Sequence, residues 1–129
     1  MRIQHVAIWT ADLERLRDFY ERYFGAVSGL KYENPSRQFT SYFLSFPTGC
    51  RIELMRVPGL LPGREPSQGP AIGYAHLAVS VGSEREVDSL TARLRDDGFP
   101  VLDGPRRTGD GCYESLILDP DGNRIEITA

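Results

Sequence analysis

The chain has 129 residues, with 18 acidic against 15 basic side chains, a net charge of −3 and 40% hydrophobic residues. That length suits one domain able to bury roughly two-thirds of its unfolded surface, and arginines scattered among acids argue against nucleic-acid binding. Cys50 and Cys112 lack any framework or Cys-x-x-Cys spacing, no apolar run approaches the roughly 20 residues of a membrane span, and no charged-then-apolar leader opens the sequence, so the expectation is a cytoplasmic protein with reduced thiols and no membrane role.

Residues 3–9 read Ile-Gln-His-Val-Ala-Ile-Trp, an alternating strand pattern centred on His-apolar-Ala-apolar. A helix is predicted next. Asp12 is its N-cap, Leu13, Leu16, Phe19, Tyr20 and Phe24 form its apolar stripe, and Gly25 ends it. Strand-like segments follow at Ser41 to Phe46 and Arg51 to Val57, broken by Pro47, Thr48 and Gly49. A stretch rich in proline and glycine, 58–70, then reads as a linker.

The second half repeats this plan. Residues 74–81, Tyr-Ala-His-Leu-Ala-Val-Ser-Val, carry the same His-apolar-Ala-apolar core. Ser83 and Glu86 have capping-box spacing, Val87, Leu90 and Leu94 make an apolar stripe, and Gly98 stands where a helix should end. Strands are expected at Tyr113 to Leu118 and Arg124 to Thr128, with Asp119-Pro120-Asp121-Gly122-Asn123 as the turn between them. Arg51-Ile52-Glu53-Leu54 and Arg124-Ile125-Glu126-Ile127 are almost the same tetrapeptide. The predicted fold is α+β, one domain of two tandem modules at about 1–57 and 71–129.

Side chains alternate along a strand, so Glu53 lies opposite Ile52 and Leu54, and Glu126 opposite Ile125 and Ile127. The same count sets His5, Ala7 and Trp9 against Val6 and Ile8, and His76, Ala78 and Ser80 against Leu77, Val79 and Val81. If each helix covers the aliphatic face, His5, Glu53, His76 and Glu126 all look out of the other, toward one cleft. An alanine two residues after each histidine keeps that floor open. A lone strand histidine is more often just a hydrogen-bonded side chain; both histidines of the chain, each matched to a glutamate 48 or 50 positions later, point instead to a metal site. Two imidazoles and two carboxylates suit one borderline divalent ion: zinc, nickel, cobalt, iron or manganese.

These residues, with Phe19-Tyr20 to Phe24-Gly25, Gly73-Tyr74-Ala75-His76-Leu77-Ala78 and the closing Asp119-Pro120-Asp121-Gly122-Asn123-Arg124-Ile125-Glu126, resemble the vicinal oxygen chelate superfamily over the whole chain. That superfamily includes glyoxalase I, methylmalonyl-CoA epimerase, extradiol dioxygenases and the fosfomycin and bleomycin resistance proteins. The resemblance implies βαβββ modules in a curved mixed sheet around a metal-binding cleft, and a homodimer. Within the superfamily the His, Glu, His, Glu set looks most like glyoxalase I, with zinc or nickel foremost. It implies conversion of a hemithioacetal to a thioester by enediolate proton transfer, with Glu126 as base and Glu53 as opposite-face partner. Epimerases similar to the methylmalonyl-CoA enzyme usually have glutamine where Glu53 stands.

Glutathione-dependent glyoxalases commonly carry an arginine four positions after the first histidine and an asparagine four after the first glutamate; here Trp9 and Val57 stand there. The thiol is therefore left open. Arg106 and Arg107, placed in a loop before the last strand pair, are carboxylate-clamp candidates, and Trp9, Tyr42, Tyr74 and Arg107 are taken as substrate-binding. Two other readings compete: a non-catalytic binder similar to bleomycin resistance proteins, which generally lack metal ligands, and an extradiol-type dioxygenase, which needs ferrous iron and only one of the glutamates.

Overall fold

The computed structural model describes residues 1–63, 69–70 and 72–129. Residues 64–68 of the predicted linker, and Ala71 at the predicted start of the second module, lie outside the described residues. The chain divides into two units, Met1–Pro62 and Gly63–Ala129.

In the first unit, β1 (His5–Trp9) leads into α1 (Leu13–Phe24), followed by β2 (Val27–Ser28), β3 (Tyr32–Asn34), β4 (Phe39–Ser45) and β5 (Arg51–Arg56). The helix starts and stops where the sequence says. The Asp12 side chain accepts from the Arg15 amide, and Gly25, whose N–H donates to the Tyr20 carbonyl, takes the left-handed conformation that turns the Ala26 N–H back onto the same oxygen at 3.3 Å. The sheet order is β1-β5-β4-β2, with β3 also on β4. β1 and β5 run parallel, and every other pair is antiparallel. The first strand of the module thus lies directly beside its last. Leu13, Leu16, Phe19, Tyr20 and Tyr23 of α1 are buried, as are Ile52 and Leu54 of β5 and Tyr42 and Leu44 of β4; that face of the sheet is the core.

The second unit runs β6 (Leu77–Ser80), α2 (Glu84–Asp96), β7 (Val101–Arg107), β8 (Tyr113–Leu118) and β9 (Arg124–Thr128), with sheet order β6-β9-β8-β7. Ser83 caps α2 by accepting from the Glu86 amide at 3.2 Å, the predicted pairing, and Gly98, at φ +88°, closes the helix with its N–H on Arg95 O. Again first and last strands are parallel neighbours. Val87, Thr91 and Leu94 are buried with Ile117, Ile125 and Ile127. Each unit is thus a βαβββ-like module with a mixed sheet, in an α+β chain.

Two features differ from the sequence expectation. β2 and β3 are strands of two and three residues, too short to leave a periodicity. β7 occupies a stretch read as loop, because Gly104 and Pro105 interrupt it and its pairing with β8 shifts register between Val101 and Asp103 and again between Asp103 and Arg106. At Gly104 the backbone has φ +78°, and a Cβ there would sit 2.5 Å from the Glu114 carbonyl oxygen and 2.9 Å from Ser115 Cα. Gly104→Ala is therefore expected to cost about 2–5 kcal/mol, from left-handed strain plus overpacking. Gly109, with open space around its Cβ position, is the control; equal melting temperatures for the two alanine variants would disprove the close approach.

Candidate metal and acid-base site

Placing the first strand beside the last brings each histidine to its glutamate. In the first unit Ala7 is the direct partner of Glu53 and His5 of Arg51. His5 is one pleat away from Glu53, and its Nε2 lies 3.5 Å from Glu53 Oε2. In the second unit Ala78 is the partner of Glu126, and His76, just before β6, brings Nε2 to 3.2 Å from Glu126 Oε2. The alanine of each His-x-Ala motif thus faces the glutamate across the parallel pair and leaves its carboxylate uncrowded. Both imidazoles stay partly exposed, at 36% and 39% of the side chain, whereas the glutamates are at 16% and 20%. On its other ring nitrogen His5 meets the Gln4 side chain, and its ring edge meets Phe43 at 5.4 Å.

The four predicted ligands are thus gathered as two pairs, one within each unit. Among the described residues no three His, Cys, Asp or Glu side chains form a single cluster of metal-binding size. Each pair on its own fits an ion: nitrogen and oxygen donors 3.2–3.5 Å apart are what two ligands at about 2.0–2.2 Å from a common centre subtend.

Electrostatics around Glu126 add a residue that the sequence did not single out. Glu114 pairs with Thr128 and Leu116 with Glu126, so Glu114 shares the Glu126 face. Partial burial, and then the nearby charge of Glu126, push its carboxyl above the usual range, with Arg106 and His76 opposing. Arg106 holds Asp103 through a 2.6 Å ion pair and keeps that carboxyl below its ordinary value. Alternation along 113–118 sets Glu114 with Leu116, and the β8–β9 register is what puts that parity on the Glu126 face.

The expected substrate contacts fall in different places. Trp9 is on the His5 face, half exposed. Tyr42 pairs with Leu54 on the opposite face, buried, where its hydroxyl donates to Glu14 at 3.1 Å and accepts from Arg17 at 3.2 Å; strand alternation and α1 keep it from the His5 face. Tyr74 lies ahead of β6, fully exposed. Arg107 ends β7 instead of lying in a loop, and there it pairs with Glu84 of α2, donates to Gly111 O at 3.0 Å and lies over the Tyr113 ring. Tyr113 in turn donates to Asp88 of α2 at 2.8 Å, so Arg107 is committed to the α2 side. Arg106 lies within electrostatic reach of Glu114 and Glu126.

Comparison with known proteins places the fold in a family. Residues 2–127 match the family model described as the Glyoxalase/Bleomycin resistance protein/Dioxygenase superfamily, and the chain belongs to that superfamily. It is similar to an uncharacterized Bacillus subtilis protein, YqjT, at 28% identity over 98% of both chains. It is also similar to the lactoylglutathione lyase of Escherichia coli O157:H7, at 26% identity over 98% of this chain and 91% of the relative. Among solved structures, the trypanothione-dependent glyoxalase I of Leishmania major superposes with a TM-score of 0.79 at 25% identity, covering 99% of this chain and 86% of that one. No helix among the described residues is long and apolar enough to cross a membrane.

Proposed function

We propose that this chain is a glyoxalase I-like metalloenzyme of the lyase/isomerase type, converting a hemithioacetal to a thioester by enediolate proton transfer. The observation that carries the reading is the duplicated His–Glu pair, His5 with Glu53 and His76 with Glu126, built by the same strand adjacency in both units. Relatives named lactoylglutathione lyase, one matched along nearly its whole length, support the reaction class. His5, Glu53, His76 and Glu126 would together hold one divalent ion, zinc or nickel foremost. When bound, that ion supplies Lewis acidity beside the developing oxyanion. Glu126 is assigned the proton transfer, taking the proton from one carbon so that its neighbour can be protonated; Glu53 is its counterpart across the substrate.

In this reading the protein works as a homodimer, and the full ligand set joins a His5–Glu53 pair of one protomer to a His76–Glu126 pair of its partner. What supports it is that each unit carries half of the set by itself. Arg106, near Glu126, replaces Arg107 as the charged contact for substrate.

The direct test is metal content by mass spectrometry, on protein purified without a histidine tag, for the native chain and the Glu53→Ala and His76→Ala variants. About one divalent ion per chain is expected for a four-ligand site, with loss in both variants. Native protein that takes up no ion after incubation with zinc, nickel and ferrous salts would overturn the reading in favour of a sequestering binder.

A further inference from the structure

The His5 face of the first sheet carries an aromatic cluster beyond the ligand pair. Trp9 on β1, Phe39 on β4 and Tyr32 on β3 share that face by strand parity, since Trp9 pairs with Met55, Met55 with Ser41, Ser41 with Tyr32, and Phe39 lies two residues from Ser41. Trp9 meets Phe39 edge to face, with ring centroids 6.3 Å apart at 88°, and Tyr32 meets Phe39 at a tilt of 60°, with centroids 6.1 Å apart. Yet Trp9 is 51% and Tyr32 55% exposed, so ring faces remain open beside a supporting phenylalanine. Such an L-shaped arrangement lets a third ring stack on one member while offering its edge to another.

Between this cluster and the carboxylate of the site the floor is uncharged. The residues of the same face that lie between Trp9 and Glu53 are Ala7 and Met55, with Ser41 beside Met55 on β4, and none of the three bears a charge to attract a carboxylate or ammonium group. Trp9 and Ala7, the direct partner of Glu53, are two strand positions apart, which is about 7 Å along the sheet. A ring stacked on Trp9 thus lies one short linker away from an atom in reach of Glu53.

We propose that the Trp9–Phe39–Tyr32 cluster is a specificity subsite for an uncharged, planar aromatic group carried by the substrate on a spacer of a few bonds. The inference rests on the proposed site at His5 and Glu53 for its functional meaning. It narrows the substrate class to hemithioacetals whose thiol or aldehyde half is aryl or arylalkyl. An exposed tryptophan at this place selects for a flat apolar partner, because stacking gains from desolvating both faces, where a cationic side chain would have selected an anion.

The chain has a single tryptophan, so its indole N–H is one resolved nuclear magnetic resonance signal and reports on this subsite alone. Metal-free, isotope-labelled protein is titrated with 2-phenylethanol and, separately, with its saturated counterpart 2-cyclohexylethanol. The expected result is a saturable shift of the indole signal, with about two- to tenfold tighter apparent binding of the phenyl probe. Tyr32→Leu, at an exposed position, should abolish most of that preference while leaving the spectrum of the fold intact. An indole signal that does not move, equal affinity for the two probes, or a preference untouched by Tyr32→Leu would each overturn the subsite. Because the titration needs neither metal nor turnover, it separates the two ideas: metal binding without aromatic preference removes the subsite and leaves the enzyme reading, whereas aromatic preference without metal binding does the reverse.

Discussion

Replacing Glu126 by glutamine is expected to lower kcat/KM for hemithioacetal isomerisation by about 10²–10⁴-fold, the usual contribution of a positioned general base, with the fold unchanged. The substitution is nearly isosteric and keeps an oxygen that can face His76, so the 3.2 Å approach of the pair and the flanking β8–β9 and β6–β9 pairings need not rearrange. What disappears is the capacity to take a proton. The prediction is checked with hemithioacetals formed from one α-oxoaldehyde and a series of thiols, alongside metal content and melting temperature for the same preparation. A Glu126→Gln protein that holds metal and keeps native activity would remove Glu126 from the proton transfer. Since Glu114 lies on the same face and burial, the larger cause of its raised carboxyl, persists in the variant, a residual activity abolished by adding Glu114→Gln would identify the group that substitutes for it.

Much of the fold and of the candidate site was legible because the module is written twice. The repeat matched His5 with His76 and Glu53 with Glu126, although His5 opens β1 while His76 falls one residue ahead of β6, and the helix ends at Asp12, Gly25 and Ser83 carry their own local chemistry. Strand adjacency was the missing quantity. Sequence alternation tells which face a residue is on, whereas only the parallel β1–β5 and β6–β9 pairings bring histidine to glutamate. Tyr42 was illegible for a different reason. The run Phe39 to Ser45 mixes polar and apolar side chains on both faces, and the partners that satisfy the Tyr42 hydroxyl, Glu14 and Arg17, come from α1. At Arg106 and Arg107 the cause is again local. Bulged pairing in β7 breaks the parity count, so which of two adjacent arginines points to which side could not be read from their spacing to Tyr113.

Two inactive variants are expected to restore activity to one another. Take His5→Ala and His76→Ala, each of which removes one imidazole from one of the two pairs. In a homodimer with two equivalent sites, each combining the His5–Glu53 pair of one protomer with the His76–Glu126 pair of the other, either variant alone has both sites damaged. A mixed dimer gathers both substitutions into one site and leaves the other with all four ligands. Random exchange of protomers puts half of the dimers in the mixed form with one of two sites intact, so activity should recover to about one quarter of native. Metal content should recover in parallel. The experiment consists of mixing the purified variants, one of them nitrogen-15 labelled so that the mixed dimer has its own mass, under conditions that allow subunit exchange, then following activity, bound metal and molecular mass together. Recovery near that fraction, from parents that are each inactive, requires ligands drawn from two chains. A mixture that exchanges protomers, as shown by mass, yet stays inactive would mean that each chain supplies its own complete set, and the proposed division of the site between protomers would fall while the assignment of the four ligands could still be judged on metal content alone.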